Sequence, residues 1–521
     1  MGPKPELKKG RSKRASEFKP LLFTTTLRNP ERLRNFLVVL KEFDGLVLTD
    51  ELCIEIEGEL IRRGIYQPIR RSQEVKDKWL AGEMLTDVEV RRVLSDNPQE
   101  HKEAGFRRGW PSRFDTHFKI AKVFGCVFYD TGEKIEFSVV GNFCVSDETG
   151  RWQEVVFLNG LSKYHRNNPL YRVRNENKPL SLLLRVLLRL RDVNGPADPG
   201  VARHELAILG VWKDNDAEAL LAEILHFRQK HGFSVSDEVL FEYCEVKLAG
   251  WSKKMDVSTI ARDLPDDLMR KFRLTGLFVL RGEGRFLGLS DKSLQRASRV
   301  ISHHSDLLNF TDEREYFTYV ASVDQELVNL NAVSPAATVS DEYALDRWIV
   351  EIGEAEIINN LKLLSRKQPS THAVLRLLDE PLRLEFLSTL LLATRLPGVQ
   401  IRPNYRCDDD GLPLTTAPGG IPDILVVSGQ SCVAVEVTLM RNRQQVHLEM
   451  IPIERHLRVL VDEFESASAI FVAPAIHPDA TRYAEFALHD KGLMIGTQSI
   501  EDFVGSLPDL VKTALRSSSG V

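Results

Sequence analysis

The 521-residue sequence predicts a multidomain α+β fold: a helix-rich N-terminal region with winged-helix character, followed by an α/β domain. Three observations carry this expectation. Apolar residues recur at helical spacing through the first half of the chain, and two short apolar stretches in "TGLFVLRGEGRFLGL" flank a Gly-Glu-Gly turn. After a small-residue Ser/Pro/Ala segment near 334–340, strand and helix patterns alternate. With 43% hydrophobic and 27% charged residues, the chain can bury more than one core.

Taken in order, residues 1–18 form a basic tail, "MGPKPELKKGRSKRASEF", expected to be disordered. It leads a stretch, residues 1–120, that holds 24 Lys and Arg against 19 Asp and Glu, although the whole chain has a net charge of −5. Structure begins at 19. In "NPERLRNFLVVLKEFDG", Asn29 can cap, Pro30 suits the first turn, and Leu33, Phe36, Leu37 and Leu40 share a face before Asp44-Gly45 stops the helix. "KVFGCVFYDTGEKIEFSVVG" reads as a hairpin turning at Thr131-Gly132, and "NKPLSLLLRVLLRLRDV" as a helix ending at a boundary near 193–200. Residues 217–230 form an amphipathic helix through Leu220, Leu221, Ile224 and Leu225. A winged helix is placed at about 200–300, a linker at 306–340, and the α/β domain at 341–516. Six cysteines without a CxxC pair exclude a zinc ribbon or disulfide frame, and no apolar run approaches the ~20 residues of a membrane span. A soluble intracellular protein is expected.

Chemistry concentrates in "GGIPDILVVSGQSCVAVEVTL", residues 419–439. Strand alternation puts Val433, Val435 and Val437 on one face and Ala434, Glu436 and Thr438 on the other. The short "SGQS" turn pairs this strand with "DILVV", so Asp423 falls near Glu436. Two carboxylates that close repel unless a cation lies between them, and hard divalent cations such as Mg²⁺ prefer oxygen ligands. This is the pattern of PD-(D/E)xK nucleases, with Thr438 at the lysine position. Glu385, beside Ser388 and Thr389 on a helix, and Glu449, thirteen residues after Glu436, are further candidates. The residue pattern by itself places Glu449 on a solvated helix face.

The sequence resembles the AlwI family of type IIS restriction endonucleases, with PleI, MlyI and related nicking enzymes. The likeness is carried by "LLFTTTLRNPERLRNFLVVLKEFDG", "GWPSRFDTHFKIAKVFGCVFY", "LSKYHRNNPLYRVRNENKPLSLLL", "VARHELAILGVW", "APGGIPDILV", "VAVEVTL" and "EMIPIERHL". The resemblance implies a cytoplasmic prokaryotic enzyme that binds a short asymmetric duplex site and, with Mg²⁺, hydrolyses DNA at a fixed distance outside it. It makes Glu385, Asp423, Glu436, Thr438 and Glu449 catalytic, with Asp423, Glu436 and Glu385 on the metal. Partners would be double-stranded DNA and either a second nuclease domain or a small subunit. The alternatives are a strand-specific nicking enzyme, the large subunit of a heterodimer, or a regulator with an inert nuclease fold.

For DNA contact, the segment from Lys163 to Arg191 carries eight basic residues against Glu176 alone. Arg166, Asn167 and Asn168 are expected to read bases, since Arg and Asn pair with purine edges. Lys163, Arg172 and Arg174 are expected on phosphates, with Arg107, Arg108 and Arg113 as a second cluster beside core residues Phe106 and Trp110. The run Asp408-Asp409-Asp410 reads as a solvated loop, and His303-His304 as structural.

Overall fold

The computed structural model describes residues 17–23, 30–147, 151–171, 173–195, 198–245, 255–282, 284–329, 342–408, 410–506 and 511. The basic tail to residue 16, Asn29, Arg172, Asp409 and the small-residue segment 334–340 lie outside them.

The N-terminal region is a helical assembly whose seams follow the apolar periodicity. Helix Pro30–Lys41 buries Leu33, Phe36, Leu37 and Leu40, as its spacing requires. Asp50–Arg62 packs against Trp110–Val123. The expected hairpin is present but short: Val127–Phe128 pairs antiparallel with Glu136–Phe137, and Gly132 turns it at φ +85°. Helix Trp152–Lys163 is buried along its whole length, and Pro179–Asn194 shields it. Helix Ala217–His231 buries Leu220, Leu221 and Ile224, but Leu225 is 40% exposed, because the buried stripe is narrower than the sequence suggests. Phe278–Arg281 and Phe286–Leu289 form the second hairpin, which Val201–Ala202 extends to a three-stranded sheet.

The C-terminal region is built on a five-stranded sheet. From one edge its strands are Ile495–Ser499, Ser466–Ala473, Ser431–Val437, Ile424–Ser428 and Gln400–Pro403. The first three run parallel, joined through helices Ile451–Glu463 and Pro478–Lys491. The last two pairings are antiparallel. Helix Glu380–Arg395 covers one face, where Val433 and Val435 meet Leu384, Leu387 and Leu391. On the other face Cys432 and Ala434 pack with Ile453 and Leu457. The alternation read from "CVAVEV" is therefore the division between two cores.

The segment 306–340 does not behave as a simple linker. Its described part forms helices Glu313–Ala321 and Gln325–Asn329, which pack on Trp152–Lys163. The Asp408 end of the acidic run is not solvated either. Asp408 is buried and lies 3.4 Å from Arg273, which is buried too, so an ion pair joins the two regions. Buried Glu154 adds a second tie by bridging Arg296 and Arg406. Apolar residues of both regions belong to one continuous core, in which Leu268 and Phe272 join Leu375 and Leu377.

Candidate functional site

The site is assembled at one end of the central strands. The turn at Gly429-Gln430, with Gly429 at φ +58°, folds Ile424–Ser428 back on Ser431–Val437 in a register that places Val435 opposite Ile424. One residue beyond, Asp423 and Glu436 face each other and hold each other's backbone. The Val437 amide donates to Asp423 Oδ2 at 2.8 Å, and the Asp423 amide to Glu436 Oε2 at 3.3 Å. Glu385 reaches the same place from the covering helix, and its Oε2 accepts from the Ala417 amide at 2.9 Å. Its flank is not polar surface, since Ser388 and Thr389 are fully buried beside it.

Thr438 follows the strand, and its side chain hydrogen-bonds Glu449. Glu449 is half-buried in a π-helical turn, Val446–Met450, so it is not on a solvated face.

Electrostatics tie the four acids together. Burial, then repulsion from Asp423, pushes Glu385 well above the usual carboxylate range, and burial and Glu436 do the same to Asp423. Glu436 is pushed up to about 8 by burial, with Glu449 adding repulsion. Glu449 is raised to about 7 by burial despite the Thr438 bond. Such a cluster is destabilising as bare charge and is eased by a proton or a cation. The donors are hard oxygens, which suit Mg²⁺. The backbone bonds occupy one oxygen each of Asp423 and Glu385, leaving the other, among the described residues, for a ligand. As the side chains stand, no three His, Cys, Asp or Glu among the described residues close on a common point.

Sequence reasoning missed His456. Its Nδ1 lies 2.7 Å from Glu436 Oε1 and fixes that carboxylate from the opposite side. The available signal was spacing: His456 follows Glu449 by seven residues, two helical turns, and so shares its face.

The expected DNA contacts divide. Lys163, Arg166 and Asn168 are buried, which corrects their placement on an open surface. Arg166 donates to the Gly210 and Lys19 carbonyls, and Asn168 Nδ2 to the His165 carbonyl at 2.6 Å. Asn167 and Arg174 are exposed. Arg107 and Arg108 are exposed and paired with Asp50 and Glu100, while Arg113 is half-buried beside His101 and Tyr66. Phe106 and Trp110 are core, and His304 is held by Asp324 at 2.9 Å.

Comparison with known proteins identifies the surroundings of this site. No curated protein matches the chain. Among solved structures, the small subunit of the heterodimeric restriction endonuclease R.BspD6I is similar at 19% identity, covering 32% of this chain and 80% of that one, with a TM-score of 0.25. Restriction endonuclease FokI matches at 11% identity over 96% of both chains, with a TM-score of 0.23. FokI bound to DNA gives 11%, with coverage of 96% and 97%, and a TM-score of 0.26. The family model described as AlwI restriction endonuclease matches residues 123–333 and 318–491, which include Asp423, Glu436, Thr438 and Glu449 as well as most of the helical region. On that match the chain belongs to the AlwI restriction endonuclease family.

Proposed function

We propose that the chain is a Mg²⁺-dependent type IIS endonuclease, which binds a short asymmetric DNA site and cuts at a fixed distance outside it. The observation that carries this reading is the meeting of Glu385, Asp423, Glu436 and Glu449 at one end of an antiparallel strand pair, in a member of a restriction endonuclease family. We assign the sheet and its helices to the PD-(D/E)xK type and the 201–289 sheet with its preceding helices to a winged helix. Residues 19–329 would recognise DNA, and residues from 342 onward would cut it.

Asp423, Glu436 and Glu385 would hold the metal. When bound, Mg²⁺ supplies Lewis-acid stabilisation of the phosphoryl oxygens and lowers the pKa of its water. The protein's part is positional. The backbone bonds between Asp423 and Glu436 fix their spacing, and His456 prevents Glu436 from rotating. Thr438 cannot supply the charge of a lysine, so its hydroxyl and Glu449 orient the attacking water, and Glu449, raised to about 7, is poised to take its proton near neutral pH. Arg107, Arg108, Asn167 and Arg174, all exposed, are assigned to the duplex.

The test is plasmid digestion with Mg²⁺ and with EDTA, mapping the ends on both strands. Cleavage at a constant offset on both strands, lost with EDTA, is expected. Asp423→Ala and Glu436→Ala should each lower cleavage at least a thousandfold and retain specific binding. Cutting by either variant at the unmodified rate removes the site assignment, and ends on one strand alone replace double-strand cleavage by nicking.

A further inference from the structure

The loop between helices Asp50–Arg62 and Gln73–Leu80 presents Ile69, 91% exposed, the most open large apolar side chain among the described residues. A mobile loop would tolerate that by chance, but this one is held rigidly. The side chain of Asn97, itself buried, accepts from the Arg70 amide at 2.9 Å and donates to the Arg70 carbonyl at 2.6 Å. Arg71 Nη1 donates to the Pro68 carbonyl at 2.5 Å, and Gln67 Nε2 to the Gly64 carbonyl at 3.2 Å. A buried side chain is thus committed to fixing the backbone beside an apolar group turned to solvent.

The surroundings are rich in arginine. The Tyr66 ring, in the first part of the loop, has two guanidinium groups near it: Arg32 at 5.9 Å and Arg113 at 5.5 Å from its centre. Arg113 also donates to Tyr66 Oη at 3.2 Å and meets His101 Nε2 at 2.9 Å; burial, then the Arg113 charge, lowers the pKa of that imidazole. Among the described residues, Arg62, Arg63, Arg107 and Arg108 each have a carboxylate partner, whereas Arg32, Arg70, Arg71 and Arg113 have none. Glu100, in the facing loop, is taken by Arg108. Arginines that no carboxylate pairs fit a polyanion, and a stiff apolar tip among them fits a groove in which bases can be wedged apart.

We infer that the 66–71 loop, with Arg32 and Arg113, is a duplex-DNA contact in which the arginines hold phosphates and Ile69 inserts against the bases. The inference rests on the endonuclease reading above and adds a contact surface to it.

The experiment uses the full chain, a duplex carrying the site mapped by plasmid digestion, and a random duplex. Arg70→Gln combined with Arg71→Gln should reduce the slope of log affinity against log salt by about 1.8 on both, two phosphate contacts at about 0.9 each. Ile69→Ser should leave that slope unchanged and weaken binding to the mapped site about tenfold, while Val350→Ser, an equally open apolar change at 84% exposure, should alter neither. Circular dichroism checks folding of each variant, and Arg70→Gln alone, expected to lower the slope by about 0.9, separates phosphate contact from the loop bond that half-buried Arg71 makes to the Pro68 carbonyl. An unchanged slope in the double variant together with unchanged affinity in Ile69→Ser overturns the inference and leaves the endonuclease reading standing. If the unmodified chain neither binds nor cuts duplex DNA, that reading fails and this one falls with it.

Discussion

Lys163 and Lys178 show what a residue's neighbours decide and its sequence cannot. Both belong to a run of positive charge that reads as a DNA surface, yet both are buried against the Tyr319 ring. Lys163 Nζ donates to the Ser322 carbonyl at 2.5 Å and to Ser322 Oγ at 2.7 Å. Burial lowers Lys163 to about 8 and Lys178 to about 7, the latter also through repulsion by Lys163. Since the unfolded chain keeps its lysine protons up to about pH 10.4, it binds more protons than the native state from about pH 7 upward, and stability rises with pH across that window. Thermal melts of Lys178→Met should therefore show a flatter increase between pH 7 and 10 than the unmodified chain. An unchanged profile would mean that Lys178 keeps its proton when buried. Asp423 and Glu436 were legible because strand alternation and a short turn are local rules. Charge density says only that cations are near one another, not whether a carbonyl or a phosphate receives them.

Individual elements follow the same division. Helix Glu380–Arg395 is legible from its leucines, but the burial of every residue from Leu382 to Leu392, polar ones included, is not, because it is covered by helix Glu354–Ser365 and by strands Gln400–Pro403 and Ser431–Val437 together. Leu387, fully buried in this helix, is expected to cost about 2–5 kcal/mol when changed to alanine. Urea unfolding measures that loss, and cleavage should fall more than stability explains, because the same helix aims Glu385. A loss below ~1 kcal/mol would show that the helix is not seated on the sheet as described. The π-helical turn at Val446–Met450 is not legible for a different reason: one extra residue per turn leaves no mark in periodicity over so short a span.

At the scale of the whole molecule, the composition break near 334–340 points to two units, but the core runs across both. A recognition fragment ending at 305 would lose helices Glu313–Ala321 and Gln325–Asn329 from the surface of Trp152–Lys163. A fragment ending at 329 keeps them and should melt at a higher temperature. Either fragment leaves Arg273 without Asp408, so both should be less stable than the same residues in the full chain. Asp408→Asn in the full chain tests the tie directly. Breaking a buried pair costs roughly 3–5 kcal/mol, and no change in unfolding would show that the two regions do not share it.

The two-residue turn at Gly429-Gln430 has a meaning in the language of gene variation. Asp423 and Glu436 meet only because the count of residues between them is fixed, and a slip of one residue turns an entire strand over. A single in-frame codon inserted there should silence the enzyme as thoroughly as deleting either carboxylate, although every chemical group of the site would still be encoded. Insertions of the same size in the exposed loop near Gly398 should leave the strand register of the site, and with it plasmid cleavage, intact.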